Sequence, residues 1–160
     1  MRKIETALDI AIRAHDGVID KAGKPYILHP LAVMMSKTPD LIGVPGSPMR
    51  PFSPDEMCVA ILHDVIEDCE EKFEAEIVRN FYEYPEIVSA LYAISKKWGE
   101  AAEDYYARVM ASPMAHRVKL ADMEHNMSYE RIICIADPAT RTRLTRKYNK
   151  GYEILTRIGD

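Results

Sequence analysis

The stretch Ser53-Pro54-Asp55-Glu56-Met57-Cys58-Val59-Ala60-Ile61-Leu62-His63-Asp64-Val65-Ile66-Glu67-Asp68 decides the fold class. It opens with a serine fit to cap a helix, followed by a proline. A first-turn proline costs a helix nothing, because that N–H has no intrahelical partner. Glu56 stands three residues after Ser53, the spacing of a capping box. Met57, Ala60, Ile61 and Val65 then recur at intervals of three and four, which predicts one helix over 54–68. The same grammar returns at Ser112-Pro113 and Asp137-Pro138, and with a poorer cap at Tyr84-Pro85. Ile4, Leu8, Ala11 and Ile12 mark a helix over 3–15. Ile87, Ala90, Leu91 and Ile94 mark another over 85–95, and Leu144, Tyr148, Tyr152 and Leu155 a last one over 138–157. No apolar/polar alternation flanks an Asn-Gly or Asp-Gly turn, so no strand pair is expected. The predicted fold is all-α, a compact bundle of about six to eight helices.

Between Ser36 and Ser53 the helical period stops. Thr38-Pro39-Asp40, Gly43-Val44-Pro45-Gly46-Ser47-Pro48 and Pro51 are turn chemistry, read as a long loop over 36–53 within one domain spanning 1–160. The chain has 160 residues, 48% hydrophobic and 29% charged, the balance of a soluble globular protein. No apolar run nears the ~20 residues of a membrane span. The start Met-Arg-Lys-Ile-Glu lacks a signal-peptide core, so a cytoplasmic protein with no membrane contact is expected. A net charge of −4 disfavours a nucleic-acid partner. The basic run Arg141, Arg143, Arg146 and Lys147 reads as a solvated helix face. Cys58, Cys69 and Cys134 form no CxxC pair and read as reduced, buried thiols. Trp98, Tyr105 and Tyr106 read as packing residues, and His15, His116 and His125 as structural.

The end of the opening stretch carries polar groups that an amphipathic helix does not need. His63 and Glu67 are four apart, as are Asp64 and Asp68, so an imidazole and three carboxylates crowd one turn. A divalent cation or a protonated carboxyl would relieve that crowding; a solvated acidic face is the plain alternative. Two other segments bear on the choice. In Asp20-Lys21-Ala22-Gly23-Lys24-Pro25-Tyr26-Ile27-Leu28-His29-Pro30, a lysine-bearing turn leads to a histidine before a proline-started helix. In Val118-Lys119-Leu120-Ala121-Asp122-Met123-Glu124-His125-Asn126, Asp122 and Asn126 share a helix face.

Together, in this order, Lys-Pro-Tyr-Ile-Leu-His-Pro, His-Asp-Val-Ile-Glu-Asp and Lys-Leu-Ala-Asp with Asn four later resemble the HD superfamily of metal-dependent phosphohydrolases. More narrowly they resemble the hydrolase domain of the RelA/SpoT alarmone enzymes, from Ala7 to about Arg131. The resemblance implies His29, His63, Asp64 and Asp122 as metal ligands. It implies Glu67 and Asp68 as the pair that handles the attacking water, and Lys21 and Asn126 as nucleotide contacts. It also implies one manganese ion and removal of the 3′-pyrophosphate of (p)ppGpp. Two imidazoles and two carboxylates suit a six-coordinate Mn²⁺ or Fe²⁺ better than a closed structural zinc, and Lys21 and Lys24 are placed to meet phosphate charge.

The family commonly has arginine where this chain has Asp20, and the gap between His29 and His63 is longer here because of loop 36–53. The expected partner is thus a small phosphorylated nucleotide, and a homo-oligomer is compatible. The competing readings are the same chemistry on another nucleotide or phosphate ester, and a non-catalytic metal- or nucleotide-binding module. The tail beyond Asn126 fits one terminal helix rather than a synthetase domain.

Overall fold

A computed structural model describes residues 2–157. The elements run α1 (Lys3–Ala14), α2 (Leu28–Met34), β1 (Lys37–Pro39), β2 (Met49–Pro51), α3 (Pro54–Leu62), α4 (Val65–Asp68), α5 (Glu71–Asn80), α6 (Pro85–Ile94), α7 (Ala102–Met110), α8 (Pro113–Asn126), α9 (Tyr129–Ile133) and α10 (Pro138–Thr156). The class is all-α: the described residues form eight helices of seven residues or more, two single-turn pieces (α4, α9) and one small hairpin.

The helix-start prolines do what the sequence predicts. Pro54, Pro85, Pro113 and Pro138 all occupy the first turn. Ser53 accepts from the Glu56 N–H while Glu56 accepts from the Ser53 N–H, closing the capping box. Ser112 and Asp137 cap α8 and α10 through the N–H groups of Ala115 and Thr140.

Helix α8 is central because it serves two cores at once. Its Ala115, Val118 and Ala121 join Ile10, Val33, Ile61 and Leu91 in the first, which gathers α1, α2, α3 and α6. Its Leu120 and Met123 join Tyr105, Tyr106, Val109 and Leu155 in the second, under α7 and α10. Apolar groups on both sides leave α8 without a single buried stripe, the pattern of a helix enclosed by its neighbours.

Four expectations need correction. The helix expected over 54–68 is two pieces, α3 and α4, separated at His63–Asp64. The His63 Nδ1–H turns back 2.8 Å onto the Ala60 carbonyl, the acceptor a continuing helix would offer to residue 64. Helix α2 starts at Leu28, so His29 lies inside it and Pro30 in its first turn rather than at its first position. The 36–53 segment contains a strand pair, with Thr38 opposite Arg50. Prolines at the ends of both strands hid it, since proline is excluded from ladder interiors but tolerated at strand ends and edges. Among the aromatic and sulfur residues, Trp98 is fully exposed on the turn between α6 and α7, and Cys134 is exposed.

A buried ionic cluster holds the hairpin down. Arg117 of α8, 4% exposed, donates to Glu56 Oε1 (2.9 Å), to Thr38 Oγ1 (3.0 Å) and to the Arg50 carbonyl (3.2 Å). Arg50 in turn donates to both Glu56 oxygens. One glutamate therefore caps α3, pairs α8 and secures β2.

Candidate metal centre and active-site cleft

Three distant segments converge on one point. Helix α2 brings His29, the break after α3 brings His63 and Asp64, and α8 brings Asp122. His29 Nε2 lies 3.0 Å from Asp122 Oδ1 and 3.7 Å from Asp64 Oδ2. His63 Nε2 lies 2.9 Å from Asp64 Oδ2 and 3.6 Å from Asp122 Oδ1. Donor atoms of His29, His63 and Asp64 all fall within 4.8 Å of one another. Ligands ~2.1 Å from a common ion stand about 3 Å apart when adjacent and about 4 Å apart when opposed. The four side chains therefore fit a single divalent ion. Chemistry points the same way, since His63 Nε2 is fully buried and has no hydrogen-bond partner among the described residues. A buried ring nitrogen 2.9 and 3.6 Å from two carboxylate oxygens is a place that a cation, or in its absence a proton, would fill.

Both imidazoles are held so that Nε2 faces that point. His63 spends Nδ1 on Ala60, and His29 Nδ1 lies 2.7 Å from His125 Nδ1, the two rings stacked with centroids 4.9 Å apart. Burial, with His29 and Arg131 nearby, pushes the His125 pKa down to about 4, so His125 is a neutral acceptor for the His29 Nδ1–H. Burial alone would lower the His63 pKa as well, but Asp64 and Asp122 outweigh it and raise it to about 10. Without a metal, the proton on His63 meets the carboxylates' demand for positive charge.

The carboxylates are braced. Asp64 Oδ2 accepts from the Tyr26 hydroxyl at 2.5 Å. Asp122 accepts from Lys119 Nζ at 2.7 Å and from the Asn126 amide at 2.6 Å. Lys119 and the histidines hold the Asp122 carboxyl well below the usual range against the opposing effect of burial.

A cleft of about 450 Å³ opens above this point, walled by His29, Asp64, Asp68, Lys119 and Asp122 with Lys21, Asn126, Arg131 and Lys147 around them. Glu67 and Asp68 both line it, yet they differ. Glu67 Oε2 accepts the Lys96 backbone N–H at 2.8 Å, whereas the Asp68 carboxylate accepts no hydrogen bond among the described residues. Burial first, then Asp64 and Glu67, raise the Asp68 pKa to about 6.

Of the residues singled out from sequence, Lys24 does not line the cleft, and Asn126 reaches it while bonded to Asp122. Asp20 does not present a bare anion there: its carboxylate accepts from the Ala22 and Lys24 N–H groups and pairs with Arg131 at 3.0 Å. Tyr26, Lys119, His125, Arg131 and Lys147 were not picked out. Tyr26 belongs to the Lys24–Pro30 motif, but contacts between α8, α9, α10 and the 20s turn leave no local signal. Lys147 corrects the view of the 141–147 run as purely solvated.

No family model matches the chain. It is 35% identical over 134 residues to a GTP pyrophosphokinase of Streptomyces coelicolor, covering 79% of this chain and 14% of that protein. It is 30% identical over 168 aligned positions to the bifunctional (p)ppGpp synthase/hydrolase SpoT of Escherichia coli, covering 99% of this chain and 22% of SpoT. The chain is related to the RelA/SpoT proteins. A third relative is the guanosine-3′,5′-bis(diphosphate) 3′-pyrophosphohydrolase of Haemophilus influenzae, 32% identical over 86% of this chain and 20% of its own length. The chain thus spans about a fifth or less of the RelA/SpoT-related proteins it matches.

Proposed function

We propose that this chain is an HD-type, Mn²⁺-dependent phosphohydrolase acting on a small phosphorylated nucleotide, with guanosine 3′,5′-bis(diphosphate) the leading substrate and its 3′-pyrophosphate the group removed. One observation carries the reading. Two imidazole nitrogens and two carboxylates from three separate segments meet at the floor of a cation-rimmed cleft, with His63 Nε2 buried and unpartnered. Relatives named for the hydrolysis of that nucleotide support the substrate class.

His29, His63, Asp64 and Asp122 would hold the ion, which when bound polarises a phosphoryl oxygen and acidifies a water. Asp68, whose carboxylate accepts no hydrogen bond among the described residues, would accept the water's proton. Glu67, docked on the Lys96 N–H and lining the same cleft, would help orient that water. Lys119, Lys21 and Arg131 offset phosphate charge from the rim. The water oxygen joins the phosphorus borne by the 3′-oxygen, the bond from that phosphorus to the 3′-oxygen breaks, and pyrophosphate leaves as a proton reaches the ribose.

A pyrophosphate-release assay with added Mn²⁺ tests this. The wild type should turn over the bis(diphosphate), and Asp68→Asn and His63→Ala should each cost about 10²-fold or more. Turnover untouched by both substitutions sinks the assignment. A second reading, the same chemistry on another nucleotide, is favoured by one feature. The position where the family commonly has a base-contacting arginine is Asp20, tied to Arg131, so this chain offers its cation from α9 instead.

A further inference from the structure

A hollow of about 450 Å³ lies between α5 and α6 and shares no residue with the cleft. Its walls are apolar. Val78 comes from α5, Tyr82 from the turn after it, and Pro85, Val88 and Tyr92 from α6, with the buried Phe81 beneath. Each helix already spends one stripe on the first core: Phe73 and Ile77 in α5, and Ile87, Ala90, Leu91 and Ile94 in α6. A helix packed on one side normally keeps its other face polar. Here a second apolar face faces solvent, with Tyr82 72% exposed, Tyr92 42% and Val78 41%, gathered in one groove rather than scattered.

Charge around the groove is one-sided. Residues 70–92 hold six glutamates against Lys72 and Arg79, a net −4 that equals the formal charge of the whole chain. Both cations have other partners: Lys72 pairs with Glu70, and Arg79 joins Arg13 in holding the Glu76 carboxyl below its ordinary value. Glu71, Glu74, Glu83 and Glu86 have no cation within ion-pair distance among the described residues. Glu71 and Glu74 precede Val78 by seven and four residues, on its face of α5. Glu74 accepts the Tyr92 hydroxyl across the groove at 2.8 Å, while Glu83 and Glu86 stand next to Tyr82 and Pro85 in the chain. Such a groove complements an apolar stripe flanked by cations. A second copy of this chain does not supply one. The same face would bring like charges together, and the most basic helix, α10, has already buried Leu144 and Leu155 of its apolar stripe.

We propose that this groove docks a basic amphipathic helix of another protein. Its aliphatic side chains would lie on Val78, Tyr82, Val88 and Tyr92, and its lysines or arginines against Glu71, Glu74, Glu83 and Glu86. Recognition is of the helix-in-groove kind, with anchors at helical spacing for affinity and the carboxylate rim for choice of partner. The proposal is independent of the reaction at the metal centre.

The probe is a fluorescein-labelled helical peptide of about 18 residues, leucine along one face and lysine on the others. It is titrated into the full chain and followed by anisotropy. Binding in the micromolar range is expected, with the glutamate-for-lysine version of the peptide bound about tenfold or more weakly at low salt. Val78→Ser/Tyr82→Ser alters two exposed side chains and should weaken the lysine peptide roughly tenfold or more. Glu83→Gln/Glu86→Gln, which leaves the apolar wall intact, should weaken it about threefold or more and narrow the gap between the two peptides. No binding, equal binding of both peptides, or equal binding by the Val78→Ser/Tyr82→Ser variant overturns the proposal. A dimer in sedimentation that Tyr82→Arg dissolves would overturn it as well, by giving the groove to a second copy.

Discussion

The two nitrogens of His29 and of His63 face different partners, and the outer partner is the easier one to probe. His125 is the partner that fixes His29, at 2.7 Å between Nδ1 atoms. Removing such an outer partner typically costs 10–100-fold in metal affinity. His125→Ala should therefore weaken Mn²⁺ binding by about that factor in a calorimetric titration, and an unchanged affinity would show that His29 needs no support. Asp68 allows a test with a definite sign. Its folded pKa is raised to about 6 from an ordinary value near 3.8, by burial first and then by Asp64 and Glu67. A carboxyl with a raised pKa holds its proton more tightly in the folded state. It adds stability below the unfolded value and loses that contribution as pH climbs through 6. In chelator-treated protein, Asp68→Asn should thus raise Tm at pH 7–8, with the gain shrinking below pH 6 and gone near pH 4. A gain that grows toward acid pH would contradict the assigned shift.

At the level of elements, the fit between α10 and the α7–α8 pair depends on Gly151. Gly151→Ala should destabilise by about 1–3 kcal/mol, the usual range for overpacking. Adding Tyr106→Phe removes the colliding hydroxyl and should recover part of the loss in denaturant unfolding. The hairpin depends on Arg117, whose replacement by alanine leaves Glu56 buried beside Arg50 alone. Breaking a buried pair from one side costs ~3–5 kcal/mol, so Arg117→Ala should unfold at markedly lower urea. These elements also show what could be read from sequence. Proline after a capping residue located the starts of α3, α8 and α10 because cap chemistry is local. The break at His63 was invisible because it follows from a side chain bonding back to Ala60, while the apolar spacing of Met57, Ala60, Ile61 and Val65 runs straight through it. The β1–β2 pair was invisible because its anchor, Arg117, lies about 80 residues beyond Thr38. The four converging residues, His29, His63, Asp64 and Asp122, were legible as motifs, but Tyr26, Lys119 and His125, which contact them, became visible only when α2 and α8 came together.

For the molecule as a whole, the candidate metal centre joins parts of the chain far apart in sequence. His29, His63, Asp64 and Asp122 meet only in the folded state, so an ion bound there stabilises the fold by mass action. At a hundred times the dissociation constant that is about 2.7 kcal/mol, or roughly 5–10 °C in Tm for a chain of this size. Mn²⁺ should produce such a rise, chelator should reverse it and His63→Ala should abolish it in a thermal melt. None of the described helices is long and apolar enough to cross a membrane.

Trp98 gives the molecule a spectroscopic consequence. It is the single tryptophan, it stands fully in solvent, and it sits two residues from Lys96, whose backbone is held by the Glu67 carboxylate. The emission of the native protein should already resemble that of a free indole, so unfolding will barely shift its colour. The colour of its fluorescence is therefore a poor reporter of whether this protein is folded.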